Sequence, residues 1–255
     1  MVVPFSKYQG TGNDFILIDN RKGLFPKTDK NLISEWCDRK FGIGSDGLIL
    51  IESHATADFE MIFFNPDGSK SLCGNGSRCA VSFAKTLGLF SDRTEFLTTD
   101  GIHSAFMENG LVHFQLHDVP AVVERLGGFF VNNGSPHHIQ FVEDTEGLDI
   151  LAVGKEIRHA DTYMPEGTNV NFVQVNGGSI VIRTFERGVE DETLSCGTGV
   201  VASSLAASKF GLQSPISVHT KGGQLQVTFE TDSMGFKNIW LIGPAQKVFE
   251  GELVI

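Results

Sequence analysis

Short apolar runs recur along the chain and are typical of β-strands. Clusters of Gly, Asn, Asp and Pro, which favour turns, separate these runs. The runs lie at residues 15–18, 48–52 and 60–64 in the first half, and at 139–142, 170–175 and 180–185 in the second. The pattern predicts an α+β protein in which short strands dominate.

One helix is predicted in each half, directly after a Cys-Gly-x-Gly turn. The apolar spacing i, i+3, i+4, i+7 is seen at Ala80, Phe83, Ala84 and Leu87, and the aligned positions of the second helix are Ser203, Ala206, Ala207 and Phe210. Gly88 and Gly211 follow and are expected to end the two helices. Both segments carry few charges, so we expect each helix to be enclosed by other structure.

The two halves resemble each other in sequence. A shift of 123 positions places Cys73-Gly74-Asn75-Gly76 on Cys196-Gly197-Thr198-Gly199. Further matches occur in the same order at shifts of 121 to 123, among them Gly12-Asn13 with Gly134-Ser135. Chance recurrence of Gly-rich turns is the alternative explanation. We predict two pseudo-symmetric domains, each a curved, mostly antiparallel β-sheet or barrel around a central helix, with the active site in the cleft between them.

Composition and charge exclude several classes of protein. Of 255 residues, 41% are hydrophobic and 20% charged, as in ordinary globular proteins. The formal net charge is -11 and no Lys/Arg cluster occurs, which argues against a nucleic-acid partner. The chain shows neither a secretory signal nor an apolar run of the roughly 18 residues that a membrane helix requires. We therefore expect a cytoplasmic protein with no membrane partner.

The four cysteines are too few and too scattered for a disulfide framework, and in the cytoplasm they are expected to be reduced. No Cys-x-x-Cys spacing is present, so we expect no metal site. Cys37 and Cys79 lie in predicted helices and are interpreted as buried apolar residues. The same interpretation is open for Cys73 and Cys196, but duplication of their whole local motif favours a functional role.

A thiol at the start of a helix is suited to proton transfer. The first N–H groups of a helix lack internal partners and carry partial positive charge, which stabilises a thiolate and binds carboxylates. Two such turns suggest that one substrate carboxylate is held by both helix ends. One thiolate then removes a proton from the adjacent carbon and the opposite thiol returns a proton to the other face. This inversion requires no cofactor if the helix ends stabilise the developing negative charge.

At these residues the sequence resembles the diaminopimelate epimerase family, a group of cofactor-independent two-cysteine racemases and epimerases. The resemblance extends over nearly the whole chain. It rests on "GTGNDFILID" at 10–19, "GIGSDGLI" at 42–49, "FFNPDGS" at 63–69, "CGNGSRC" at 73–79, "GSPH" at 134–137, "GTNVNFV" at 167–173 and "ERGVEDETLSCGTG" at 186–199. It implies interconversion of LL- and meso-2,6-diaminopimelate, on the route to lysine and peptidoglycan.

The resemblance also implies roles for individual residues. The implied catalytic residues are Cys73, Cys196, Glu186 and His137, with the cysteines as paired bases, Glu186 also binding the α-amino group and His137 near the reacting centre. The implied substrate-binding residues are Asn13, Asn65, Gly74, Asn75, Asn169, Glu186, Arg187, Gly197 and Thr198. Arg187 would pair with the distal carboxylate. Plainer interpretations exist, because Asn is common at turns, Glu186 and Arg187 could form a surface ion pair, and His137 could be an ordinary loop histidine.

The sequence duplication places the junction between the halves near residues 116–124, and the resemblance implies that the C-terminal strand returns to the first half. The first domain is expected at 1–118, joined by a returning C-terminal strand at 246–255, and the second at 119–245. Ser135 stands where many family members have Asn, which alters the expected contact with the distal end of the substrate.

The oligomeric state is open, a homodimer being one option. Two other functions stay open: a thiol–disulfide oxidoreductase, and a catalytically inactive binding protein of the same fold.

Overall fold

The computed structural model describes residues 1–255 and is rich in strands, as predicted. The strands are β1 (Val2–Gly10), β2 (Asn13–Asp19), β3 (Gly47–Glu52), β4 (Phe59–Phe64), β5 (Arg93–Thr98), β6 (Gly101–Glu108), β7 (Leu111–Gln115), β8 (Val123–Arg125), β9 (Gly128–Asn132), β10 (Pro136–Phe141), β11 (Asn169–Asn176), β12 (Ser179–Glu186), β13 (Asp191–Thr193), β14 (Ile216–Thr220), β15 (Gly223–Asp232), β16 (Gly235–Gly243) and β17 (Gln246–Val254). The α-helices are α1 (Lys30–Cys37), α2 (Gly74–Thr86), α3 (Ile150–Arg158) and α4 (Gly197–Ala207). The six predicted strand runs fall on β2, β3, β4, β10, β11 and β12, with only Val142 lying beyond a strand end.

The chain divides into two compact units. Unit 1 comprises Met1–Phe114 and Gly243–Ile255, and unit 2 comprises Gln115–Ile242. No helix in the structure has both the length and the apolar character needed to cross a membrane.

The sheet of unit 1 has the strand order β17-β1-β2-β3-β4-β5-β6-β7. Neighbours are antiparallel except for the parallel pairs β2–β3 and β4–β5. A parallel pair requires a crossover connection, and α1 and α2 lie in the two crossovers. The C-terminal strand β17 pairs with β1 from Val2↔Val254 to Gln9↔Gln246, so the two ends of the chain lie side by side.

Unit 2 repeats this arrangement. Its order is β8-β9-β10-β11-β12-β14-β15-β16, with the short β13 also paired to β12. The parallel pairs β10–β11 and β12–β14 occupy the positions that β2–β3 and β4–β5 hold in unit 1, and α3 and α4 lie in the corresponding crossovers. The prediction of two pseudo-symmetric, mostly antiparallel α+β halves is therefore confirmed.

One helix in each unit is enclosed, as predicted. In α2 every residue from Gly74 to Ala84 is buried, and in α4 all residues are buried. Such complete burial explains why these helices carry so few charges. By contrast, α1 buries only Ile33, Trp36 and Cys37, which pack on the apolar side of β1–β4. The predicted stop glycines have left-handed backbones, with φ values of 70° at Gly88 and 86° at Gly211.

Candidate active site

The first cysteine turn (residues 73–76, the α2 turn) forms the N-terminus of the buried helix in unit 1. Cys73 is the N-cap, with an extended backbone at φ -132° and ψ 110°. Its carbonyl accepts the Ser77 N–H at 2.7 Å, and its Sγ accepts the Gly76 N–H at 3.4 Å. The half-buried sulfur therefore lies among the first N–H groups of α2, where a thiolate is favoured.

The second cysteine turn (residues 196–199, the α4 turn) has the same backbone form in unit 2. Cys196 is the N-cap at φ -116° and ψ 110°, and its carbonyl accepts the Val200 N–H at 2.8 Å. Cys196 is 8% exposed, and its sulfur lies 3.6 Å from Thr198 Oγ1. The sequence duplication thus corresponds to a duplicated helix start, although the side chains around it differ.

The glycines of the two turns differ in how much space surrounds them. A Cβ on Gly199 would lie 2.3 Å from Asn171 Oδ1, an impossible contact. At the equivalent Gly76, the nearest atom to a Cβ would be Ile49 Cδ1 at 3.2 Å, the end of an adaptable side chain. Glycine is therefore required at the α4 turn because a polar side chain packs directly on the backbone.

Behind the α2 turn lies a fully buried arginine, Arg78. Its guanidinium donates to Asn75 Oδ1 at 2.9 Å, Thr11 Oγ1 at 3.1 Å, Gly74 O at 3.3 Å and Pro244 O at 3.5 Å. Burial lowers the pKa of Arg78 to about 10, whereas a thiolate at Cys79 or Cys73 would favour its charged form. The guanidinium still remains protonated near neutral pH, so unit 1 holds a buried cation one to two turns from Cys73.

Arg78 fixes the orientation of two predicted substrate-binding amides. Because a guanidinium only donates, Asn75 presents its oxygen to Arg78 and its Nδ2 donates to Asn13 Oδ1. Asn13 Nδ2 then donates to Asp46 Oδ2 at 3.0 Å. A donor at one end and a carboxylate at the other thus set the direction of the whole chain of bonds. Asn65 lies apart from it, with Nδ2 donating to Ser69 Oγ at 3.0 Å.

Behind the α4 turn the corresponding support comes from a buried histidine. His137 Nε2 lies 3.0 Å from Thr198 Oγ1, and His137 Nδ1 lies 3.2 Å from Asn171 Nδ2. Burial, together with the charge of Arg187, lowers the pKa of His137 to about 3. The ring is therefore neutral at physiological pH, unlike the guanidinium of unit 1.

The remaining predicted residues of unit 2 lie at the ends of β11 and β12. Asn169 Oδ1 accepts the Arg187 main-chain N–H at 2.9 Å, and Asn169 Nδ2 donates to Pro136 O at 3.0 Å. Arg187 Nη1 donates to Glu166 O at 3.3 Å. Glu186 Oε2 accepts the hydroxyl of Thr193 at 2.8 Å. Asn169 therefore braces the backbone that carries Glu186 and Arg187, beyond any contact it makes with a ligand.

The other two cysteines are buried, as the sequence predicts. Cys37 is 3% exposed and Cys79 is fully buried. Burial raises the pKa of Cys79 to about 12, and burial also raises that of Cys37. Both therefore remain neutral thiols within the apolar interior.

Among the supporting residues that were not singled out from the sequence are Arg78, Asp46 and Asn171. Each lies inside a quoted motif, and Arg78 stands out as one of few charges on a buried helix. Asn171 follows Asn169 by two positions, which places both on one face of a strand. That spacing is the sequence signal that could have identified Asn171.

Solved structures share this fold at low sequence identity. A phenazine biosynthesis protein of the PhzF family from Bacillus anthracis matches with a TM-score of 0.74 at 15% identity, covering 100% of both chains. A hydroxyproline epimerase from Agrobacterium vitis matches with a TM-score of 0.69 at 15% identity, covering 99% of this chain and 91% of the other. The protein thus has the two-domain fold that includes racemases and epimerases.

Sequence comparison defines the family. The diaminopimelate epimerase family pattern matches residues 5–114 and 129–248. The diaminopimelate epimerase of Flavobacterium psychrophilum is 47% identical over 249 residues, covering 96% of this chain and 97% of that protein. That of Chlorobaculum tepidum is 42% identical, covering 96% and 99%. The chain belongs to the diaminopimelate epimerase family and is an isomerase, which confirms the resemblance seen in the sequence.

Proposed function

We propose that the protein interconverts LL- and meso-2,6-diaminopimelate by a two-base proton transfer, within lysine and peptidoglycan precursor biosynthesis. The observation that carries the proposal is the duplicated helix start, in which Cys73 and Cys196 are N-caps with the same backbone conformation. Membership of the family supports the choice of diaminopimelate as the substrate.

The proposed reaction exchanges one C–H bond for another. The thiolate of one cysteine takes the proton from the α-carbon, so that an S–H bond forms and the electron pair stays on the substrate. The thiol of the other cysteine then delivers its proton to the opposite face of that carbon. The configuration inverts, and the thiol and thiolate have exchanged places, ready for the reverse reaction.

The negative charge that develops next to the α-carboxylate needs stabilisation. We assign this to the main-chain N–H groups of Gly74, Asn75, Gly197 and Thr198, at the positive ends of α2 and α4. Preorganised N–H donors do not need to reorient during the reaction, which is why they lower its barrier.

The other substrate groups set orientation. Glu186 is assigned to the α-ammonium group, and Arg187 to the distal carboxylate, for which its planar fork is suited. Asn13, Asn65 and Asn169 are assigned to further polar contacts. Thr193 and Asn169 support these assignments, because they hold the Glu186 carboxylate and the Arg187 backbone in place.

Reaction in D₂O tests the proposal directly. A second base delivers a proton that has exchanged with solvent, so the first product formed should carry deuterium while unreacted substrate stays protiated. Product that retains the original proton would contradict a two-base mechanism. A binding protein of the same fold would bind diaminopimelate without any exchange.

Cytoplasmic location, homodimer formation and the absence of a cofactor stay predictions.

A further inference from the structure

A buried chain of hydrogen bonds leads from Asn171 to the sulfur of Cys196. Asn171 and His137 are fully buried, and Thr198 is 5% exposed. Asn171 lies on β11, His137 on the neighbouring β10, and Thr198 in the first turn of α4. No solvent is needed to complete this chain, so its members determine one another's hydrogen positions.

The Asn171 amide can take only one orientation. Its Nδ2 lies 3.1 Å from the main-chain carbonyl of His138, which can only accept, so nitrogen rather than oxygen must occupy that position. On the other side, Asn171 Oδ1 accepts the Thr184 hydroxyl at 3.0 Å. The reversed amide would place two oxygens against each other beside His138.

The orientation of Asn171 determines the tautomer of His137. The second N–H of Nδ2 points to His137 Nδ1 at 3.2 Å, so that ring nitrogen must carry a lone pair. The ring proton of neutral His137 is therefore on Nε2, which donates to Thr198 Oγ1 at 3.0 Å. A protonated ring would direct an N–H at the N–H of Asn171, so Asn171 also opposes protonation.

We propose that Asn171 is a positioning residue that fixes the Nε2–H tautomer of His137 and so directs the Thr198 hydroxyl hydrogen at Cys196 Sγ. Since Thr198 Oγ1 already accepts from His137, its hydrogen is available for the sulfur 3.6 Å away. This bond stabilises the thiolate, the form that accepts a proton. The proposal rests on the proposed function only in taking Cys196 as a base.

This assignment gives His137, which the resemblance places near the reacting centre, the role of orienting Thr198. No proton leaves His137 or Thr198 during the reaction. The ring acts as a fixed neutral donor, which agrees with its low pKa. His137 is thus the counterpart of Arg78, which supports Asn75 at the equivalent position of unit 1.

Nuclear magnetic resonance of ¹⁵N-histidine-labelled protein tests the tautomer in the wild-type network. His137→Gln is used only to assign the resonances of His137, by their loss. We expect a neutral ring protonated on Nε2 in the wild-type enzyme at neutral pH. An Nδ1–H tautomer or a charged ring would overturn the proposal, whatever the activity of the enzyme.

Asn171→Asp tests whether residue 171 controls the ring. A carboxylate only accepts, so we expect His137 Nδ1 to become protonated. Asn176→Asp is the matched control, because it adds the same charge at the exposed end of the same strand and should leave the Nε2–H tautomer unchanged. A wild-type ring pattern in Asn171→Asp would contradict the proposal.

The effect on Cys196 is measured by its rate of alkylation with iodoacetamide in a Cys73→Ser background, followed by peptide mass spectrometry. Thr198→Val removes the hydroxyl and should slow the alkylation of Cys196 about tenfold. The alkylation rate in Thr198→Ser should stay within about twofold of the rate with threonine at this position. Equal rates for Val and Ser would overturn the link to the sulfur. Neither the ring tautomer nor the alkylation rate depends on turnover. The proposed hydrogen-bond chain can therefore be refuted while epimerisation is confirmed, and epimerisation can be refuted while the hydrogen-bond chain is confirmed.

Discussion

The α2 turn and the α4 turn have the same backbone but different side-chain support. In unit 1 the residue two positions after the cysteine is Asn75, held by the buried cation Arg78. In unit 2 it is Thr198, held by the neutral ring of His137. The backbone of the helix start is thus repeated, whereas the groups that orient its side chains are not. We infer that the backbone geometry is the shared requirement, and that the two thiols work in different electrostatic surroundings.

Removal of each thiol in turn is the strongest test of whether the α2 turn and the α4 turn are equally necessary for activity. Cys73→Ser and Cys196→Ser should each lower the rate of epimerisation by about a thousandfold, because each removes one of the two proposed proton-transfer groups. The rate is measured by chiral chromatography of the product from LL-diaminopimelate. Cys37→Ala, a change in the apolar core of unit 1, is the control that should keep activity. Full activity in either serine variant would show that the thiol it lacks is not required for epimerisation.

The two turn glycines should respond unequally to alanine. Gly199→Ala forces a Cβ into Asn171 Oδ1 and should lower stability by about 3 kcal/mol and activity by about a hundredfold. Gly76→Ala needs only a shift of the Ile49 side chain and should cost about 1 kcal/mol. Urea unfolding of the two variants checks the difference. Equal losses would show that packing around the turns is more alike than their contacts indicate.

Arg78→Lys tests the role of the buried cation in unit 1. Lysine keeps the charge but cannot reach four acceptors with one ammonium group, so we expect a loss of about 2–3 kcal/mol in unfolding free energy. Asn75 and Asn13 should lose their fixed orientation, which raises KM for diaminopimelate. Arg21→Lys, at an exposed site where the arginine pairs with Asp19 outside this chain of hydrogen bonds, is the control. Unchanged stability and KM would mean that charge alone is sufficient.

His137 should make stability depend on pH in a way that Arg78 does not. Its folded pKa of about 3 lies below its ordinary 6.5, so between these values the unfolded chain binds a proton that the folded chain excludes. The contribution of neutral His137 to the free energy of unfolding is therefore fully present above its ordinary pKa of 6.5 and decreases as the pH falls below that value. From pH 7 to pH 5 the wild-type protein should lose about 2 kcal/mol more than His137→Gln. Urea unfolding at both values measures it, and equal losses would contradict a buried neutral ring.

Local patterns in the sequence predict the parts of this fold that depend on neighbouring residues. The strands, the two helices after the cysteines, and the left-handed Gly88 that follows α2 all agree with spacing and turn chemistry. The second helix was expected to run to Gly211, but α4 ends at Ala207 and a short 3₁₀ segment, Ser208–Phe210, precedes that glycine. The similarity of the two halves followed from several short matches in the same order at shifts of 121 to 123 positions. These features are local, so a single sequence contains the information for them.

The supporting groups of the site depend on strand register and could not be predicted in this way. In the parallel pair β10–β11, His137 lies opposite Asn169, although its ring contacts Asn171. The sequence indicated Asn169 but not which of the two asparagines reaches the ring. Likewise, nothing local to Arg78 shows that its partners include Thr11 and Pro244. These contacts join residues far apart in the chain, and only the folded structure brings them together.

The pairing of β17 with β1 has a consequence for how the chain is made. Unit 2 is one continuous segment, but the sheet of unit 1 lacks its last strand until Gln246–Val254 has left the ribosome. During synthesis, unit 2 can therefore complete its fold while β1 still exposes an unpaired edge. A chain released before β17 is made would keep both cysteines yet leave that edge open to other nascent chains.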